Sequence, residues 1–128
     1  MAIRIVRLGT ERTKGEGLRI GTVRRPPRGV PKNQFATRDF FDVWLPQLSP
    51  SAELVKIALG AKNEREWKSF VKRYRREMNE PDAARLLELL AAMSKSSAFS
   101  VGCYCEDEAR CHRSVLRALL QEHGAEVR

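Results

Sequence analysis

Residues 99–120, FSVGCYCEDEARCHRSVLRALL, decide the fold and hold all three cysteines and one of the two histidines. An apolar run ends at Tyr104, an acidic segment follows at 106–108, and apolar residues then recur with helical spacing from Val115 to Leu120. The pattern predicts a strand, a loop and a helix in that order. In open α/β sheets, the loop after a strand's carboxyl end borders the crevice that binds ligands. We therefore expect a site built from six residues of this stretch: Cys103, Cys105, Glu106, Cys111, His112 and Arg113.

In this stretch a predicted strand ends in Cys-x-Cys, a short polar spacer follows, and a predicted helix then opens with Cys-His-Arg. This series resembles the domain of unknown function 488 family. Upstream, residues 23–32 (VRRPPRGVPK) and 42–46 (DVWLP) look like the N-terminal motifs of the same family. The resemblance covers about residues 3–122, nearly the whole chain. It implies a fold and the position of a site, and it supplies no reaction because the family has no established activity.

The length of 128 residues fits a single domain, 1–128, that can bury a core without help from metals or disulfides. No stretch approaches 18 consecutive apolar residues, and the first residues lack the apolar segment of a signal peptide. We therefore expect a cytoplasmic protein with no membrane contact. The three cysteines lie within nine positions and cannot all pair with one another, so we expect free thiols.

The net charge of +8 is concentrated near the start of the chain. Residues 1–40 hold ten lysines and arginines against three acidic residues, whereas the other 88 residues hold fourteen against thirteen. A local excess of positive charge indicates a binding surface more than it indicates solubility. The natural inference is an anionic partner such as a nucleotide or nucleic acid.

The remaining pattern completes the element order. Strands are predicted at 3–8 and 18–24, a helix after the N-cap Ser49, a second helix with its apolar face from Trp67 to Met78, and a third after Pro81. A short strand at 125–128 would end the chain. This order predicts a small α/β three-layer sandwich with a mainly parallel, Rossmann-like sheet. Because helices outnumber strands, an α+β arrangement with a small sheet is the alternative.

The loop at 24–32 carries four cations between three prolines, which stiffen it and lower the entropy cost of binding. Arg24, Arg25, Arg28 and Lys32 could thus form an anion clamp, and a solvated basic loop is the alternative. Asp42 and Trp44 match the family motif, and both residue types can serve a site. An acid orients an arginine, while an indole stacks on a base.

The cysteine stretch allows several chemistries. Its three thiols and one imidazole are enough for tetrahedral zinc, but the spacing lacks the two knuckles of usual structural zinc sites, so we expect no metal and no cofactor. The three acidic residues would repel an oxyanion, which argues against phosphatase chemistry. A helix N-terminus and neighbouring cations favour a reactive thiol at Cys111 beside His112, the tentative catalytic pair, whereas the nearby acids oppose it.

The sequence therefore leaves three functions open. The leading hypothesis is a basic cleft that binds an anion, either a nucleotide or nucleic acid, with arginines 24, 25 and 28 facing the cysteine stretch. The first alternative is a cysteine-dependent redox or transfer enzyme that uses Cys111 and His112. The second is a structural domain whose activity depends on a partner.

Overall fold

A computed structural model describes residues 2–128. The strands are β1 (Ile3–Arg7), β2 (Leu18–Gly21), β3 (Val43–Trp44) and β4 (Phe99–Cys103), and the helices are α1 (Ala52–Gly60), α2 (Glu64–Met78), α3 (Pro81–Met93) and α4 (His112–Glu122). Short 3-10 turns lie at Lys32–Gln34, Pro46–Leu48 and Glu108–Arg110. None of the helices within 2–128 has the length and apolar character needed to cross a membrane.

The four strands form one sheet in the order β1-β4-β2-β3, and every neighbouring pair is parallel. This confirms the predicted small α/β sandwich with a parallel sheet. Because parallel strands point the same way, their carboxyl ends meet at one edge of the sheet. That edge brings together the ends of β2 and β4, and thus the residues that follow Gly21 and Cys103.

Strand β4 occupies the centre of the sheet because its residues are apolar or small, and all five are buried. Gly102 is required there. A side chain at this position would collide with the Val6 carbonyl oxygen and the Leu8 side chain. The close approach of β1 and β4 thus depends on glycine.

All four helices pack into one core with the strand residues Ile3, Ile20, Phe99 and Val101. In α2 the buried side chains are Trp67, Phe70, Tyr74 and Met78, which confirms the predicted apolar face. Each fully buried large side chain of this kind stabilises the fold by about 1.5–3 kcal/mol relative to exposure. The helices are therefore held on the sheet mainly by side-chain burial.

The layer on the other face of the sheet is built by the segments that connect β1 to β2 and β2 to β3. Strand side chains alternate between faces, so Arg19 and Ser100 point away from Ile20 and Val101. Arg19 is 1% exposed and donates from Nε to Glu16 at 2.7 Å and from Nη2 at 2.9 Å. The Ser100 hydroxyl donates to the same carboxylate at 2.7 Å. A buried ion pair thus anchors this layer.

Several predicted boundaries were wrong. The N-cap of α1 is Ser51, whose hydroxyl accepts from the Leu54 N–H at 3.3 Å, because Ser49 stays extended after a 3-10 turn. Strand β2 ends at Gly21, three residues before the predicted end, and the two-residue strand β3 was not predicted. The predicted strand at 125–128 is reduced to one parallel bridge between Val127 and Ile3.

Candidate functional site

A cavity of about 690 Å³ opens at the carboxyl edge of β2 and β4. One wall is the loop at 23–28, another is α1, and the base is formed by the end of β4 and the start of α4. Four of its lining residues are cations, and none is Asp or Glu. Its lining residues include Arg24, Arg25, Arg28, Phe40, Val55, Lys56, Leu59, Cys103, Tyr104, Cys105 and His112.

The cations of the cavity differ in how they are held. Arg24 donates from Nε to the Pro50 carbonyl and from Nη2 to the Ser49 carbonyl, both at 3.1 Å, and so ties the loop to the start of α1. Arg25 and Arg28 are exposed, and their side chains have no hydrogen-bond or ion-pair partner within residues 2–128. These two guanidinium groups are therefore available to a ligand.

Three free thiols meet at the base of the cavity. Cys103 and Cys111 are each 2% exposed, whereas Cys105 is half-buried. Hydrogen bonds from Cys103 and Cys111 lower the pKa of the Cys105 thiol, and His112 and Arg113 add to this effect. The pKa of Cys103 is raised, because its hydrogen bonds to Cys105 and Cys111 and its burial all oppose ionisation. The cluster thus favours one thiolate, at Cys105.

Cys111 is the N-cap of α4, as its position before the first helical turn predicted. A hydrogen bond with Cys103 lowers the pKa of the Cys111 thiol, but the hydrogen bond to Cys105 and burial outweigh it, and the net shift is upward. At neutral pH Cys111 is therefore a buried, protonated thiol.

The imidazole of His112 is fixed from two sides. Its Nε2 lies 2.8 Å from the Thr22 carbonyl oxygen, which can only accept, so Nε2 carries the proton. Nδ1 then has a free lone pair, and it lies 3.7 Å from the Cys111 sulfur. The ring of Tyr74 packs edge-on at 5.7 Å. Burial lowers the pKa of His112 to about 4 despite the hydrogen bond to Thr22, so the ring is neutral at pH 7.

The cavity is lined by residues of two of the three motifs that carried the family resemblance, the loop at 23–28 and the cysteine stretch. A family model described as the active DUF488-N3 subclade matches residues 3–124. The chain belongs to the DUF488 family. No curated protein and no solved structure matches it. In this DUF488 protein, Arg25 of the first motif and His112 of the last both line one cavity, although 87 positions separate them in the sequence.

Arg113 lies beneath the cavity and is 3% exposed. Its Nη2 donates to the Cys105 carbonyl oxygen at 2.6 Å, while its buried Nε has no partner within residues 2–128. The hydrogen bond holds the backbone of Cys105 against α4. Arg113 thus positions the thiol and adds positive charge near it, and it is not part of the cavity wall.

The three acidic residues of the DUF488 loop turn away from the cavity. The side chain of Glu106 is 85% exposed and pairs with Arg7 at 3.6 Å. Asp107 accepts from the Ala109 N–H at 3.0 Å, and the carboxylate of Glu108 pairs with Arg117. None of the three lines this cavity, although Asp107 lines the smaller cavity next to it.

The side chains of Asp42 and Trp44 make hydrogen bonds that stabilise the fold. Asp42 accepts from Arg12 Nη1 at 2.7 Å and from the Arg19 N–H at 2.8 Å. The Trp44 indole N–H donates to the Val23 carbonyl at 2.8 Å and fixes the end of β2. Neither residue lines the cavity, but Trp44 holds the backbone of Val23, which does.

Sequence reasoning overlooked several cavity residues, among them Tyr104, Lys56 and Leu59. Tyr104 lies between the two first cysteines, and its hydroxyl donates to the Arg25 carbonyl oxygen at 2.9 Å, which closes one side of the rim. Lys56 and Leu59 come from α1. Tyr104 could have been found from its place in the Cys-x-Cys motif, whereas the exposed residues of α1 carry no signal that distinguishes them from a solvated face.

Proposed function

We propose that this DUF488 protein binds a small organic anion of nucleotide size in the cavity at the carboxyl edge of the sheet. The observation that carries the proposal is the charge of the wall, which has four cations and no acidic residue. Two of those cations, Arg25 and Arg28, have no partner in the described chain. Guanidinium groups bind phosphate and carboxylate in bidentate geometry, and this makes them suited to such a ligand.

The shape and the remaining lining support a small ligand with an apolar or aromatic body. The volume of about 690 Å³ falls in the usual range of small-molecule sites, about 300–1,000 Å³. Phe40, Tyr104, Val55 and Leu59 supply apolar surface. A nucleic-acid polymer needs a longer basic track. Arg12 and Arg19, which belong to the basic first forty residues, are instead neutralised by ion pairs.

Calorimetric titration with nucleoside monophosphates at low salt tests this proposal. The double variant Arg25→Ala, Arg28→Ala should weaken binding by at least about tenfold, because each charge-assisted hydrogen bond contributes about 1.5–3 kcal/mol. The matched control is Arg65→Ala, Arg76→Ala, which removes the same charge from exposed positions of α2. Equal effects of the two double variants, or no binding of any monophosphate to the wild type, would overturn it.

A second candidate function is cysteine-dependent catalysis on the bound anion. It is favoured by the position of Cys105, which lines both this cavity and a second one of about 460 Å³ next to it. In this proposal Cys105 supplies the nucleophilic thiolate, whose pKa Cys103 and Cys111 lower, and neutral His112 lies beside Cys111 as the nearest base.

A further inference from the structure

The structure assigns a binding site for one zinc-like transition-metal ion to Cys103, Cys111 and His112, at the base of the cavity. Their two sulfur atoms and one imidazole nitrogen all lie within 4.8 Å of one another. Tetrahedral zinc with bonds of about 2.0–2.3 Å places its ligand atoms roughly 3.5–3.8 Å apart. The distance of 3.7 Å between Cys111 Sγ and His112 Nδ1 already falls in that range.

The orientation of His112 is that of a metal ligand. Histidines that bind metals generally donate their second ring N–H to a carbonyl or carboxylate, which fixes the tautomer and aims the other nitrogen at the ion. In this chain the Thr22 carbonyl oxygen accepts from Nε2 at 2.8 Å, and Nδ1 faces the thiols. The edge-on ring of Tyr74 restrains the imidazole further. The second ligand shell is thus in place around the three donors.

The charge balance also fits a divalent ion. Cys103 and Cys111 are each 2% exposed, and an isolated charge at such a site would be costly. Two thiolates neutralise a divalent cation, and sulfur and imidazole are the ligand types that zinc prefers. The spacing in the sequence does not indicate these three ligands, because the end of β4 and the N-terminus of α4 meet only in the folded chain.

Three protein ligands leave a fourth coordination position. Cys103 and His112 both line the cavity, so this position faces the cavity and lies beside Cys105. Two cysteines and one histidine with an open position are typical of catalytic rather than structural zinc sites. The ion itself does not depend on the proposed function. Only the expectation that the open position meets a bound anion rests on it.

Cobalt titration of the reduced, metal-free protein tests the site. We expect one Co²⁺ per chain, with a thiolate charge-transfer band and the strong visible absorption of tetrahedral cobalt, and we expect Zn²⁺ to displace it. Cys103→Ser and Cys111→Ser should each lower Co²⁺ affinity by at least about tenfold, since even partners of metal ligands contribute about 10–100-fold. Cys105→Ser is the matched control from the same cluster and should keep one-to-one binding.

Absorption spectroscopy at the zinc edge on the zinc-loaded wild type needs no variant and is independent of any folding defect. We expect two sulfur atoms at about 2.3 Å and at least one nitrogen at about 2.0–2.1 Å. A shell without sulfur, or no stoichiometric metal binding, would overturn the site. A shell with three sulfur atoms would overturn the open position by making Cys105 a ligand. Nucleotide titration in the presence of a chelator keeps failure of the metal site separate from failure of anion binding.

Discussion

The three cysteines lie within nine positions but differ in chemistry because they differ in exposure and hydrogen bonding. Cys103 and Cys111 are buried and hold their protons, whereas half-buried Cys105 accepts their hydrogen bonds. Thiolate, not thiol, is the reactive form, so reactivity should follow this division. The sequence favoured Cys111 for its helix N-terminus. The fold instead gives Cys105 neighbouring groups that lower the pKa of its thiol, together with access to the cavity.

Alkylation by iodoacetamide at different pH values measures this difference. In metal-free wild type we expect Cys105 to react fastest and to remain reactive near neutral pH, because Cys103 and Cys111 lower the pKa of its thiol. Cys103→Ala removes the larger of these hydrogen bonds and should move the pH profile of Cys105 upward. Cys105→Ser should abolish the fast reaction, with circular dichroism as the control for folding.

One result would remove the catalytic hypothesis at this residue. If alkylation rises only above about pH 8, near the value of a free thiol, and no single cysteine dominates, the cluster does not stabilise a thiolate. Anion binding could then persist without thiol chemistry, since Arg25 and Arg28 lie in a different wall of the cavity from Cys105.

At the scale of elements, the buried contact of Glu16 with Arg19 and Ser100 joins the β1–β2 segment to the central strands. Burial raises the pKa of Glu16, but the hydrogen bonds from Arg19 and Ser100 outweigh it and lower the pKa to about 2. Between about pH 2 and pH 4.5 this carboxylate is therefore ionised in the folded chain but protonated in the unfolded chain. A carboxyl group with a lowered pKa stabilises the fold above its unfolded value and loses that effect as pH falls.

Glu16→Gln should therefore change both stability and its dependence on pH. Removing one partner of a buried ion pair costs about 3–5 kcal/mol, so the variant should be less stable at pH 7 by about that amount. The wild type should lose stability between about pH 4.5 and 2, and the variant should lose less, with Asp42 accounting for part of what remains. Urea unfolding at several pH values measures both effects.

The matched control for this prediction is Glu11→Gln, an exposed change in the same segment. It should leave stability within about 0.5 kcal/mol of the wild type, as surface substitutions usually do. Equal destabilisation by the two variants would mean that the β1–β2 segment is held by something other than the Glu16 ion pair.

The elements that the sequence predicted well are those with a clear pattern of apolar residues. The apolar spacing of α2 and the apolar run of β4 were sufficient to place both. Strand β3 could not be found in this way, because it has only two residues and both side chains are exposed. The N-cap of α1 is Ser51 and not the predicted Ser49, because a 3-10 turn ends at Leu48 and Ser49 is extended. Two serines that flank one proline give no signal to choose between them.

The sequence predicted that Arg25 and His112 lie at one edge of the sheet, but not the contacts that the other candidate residues make. That prediction followed from the positions of Arg25 and His112 after predicted strands and within the family motifs. The structural tasks of Arg24, Asp42 and Trp44 depend on hydrogen bonds to backbone groups that are distant in sequence. Such bonds leave no pattern in the residue types. An arginine that ties a loop and an arginine that binds a ligand look alike until the fold supplies their partners.

Over the whole molecule, the net charge of +8 is unevenly distributed. Acidic side chains pair with cations outside the cavity, whereas the cavity wall has cations and no acidic residue. Ion pairs to Asp42, Glu16 and Glu106 neutralise Arg12, Arg19 and Arg7. Arg25, Arg28 and Lys56 remain without an acidic neighbour in the cavity wall. A positive long-range field attracts anions in general, and in our proposal the cavity wall selects among them.

Comparing a nucleoside monophosphate with single-stranded oligonucleotides of increasing length distinguishes a cavity ligand from a polymer. We expect affinity to be independent of length and to fall only modestly from low to physiological salt, because few cations contact the ligand. The Arg25→Ala, Arg28→Ala variant should weaken binding alike for all base sequences. Affinity that rises with length, with a salt slope of about −0.7 per phosphate contacted over many contacts, would instead make nucleic acid the partner.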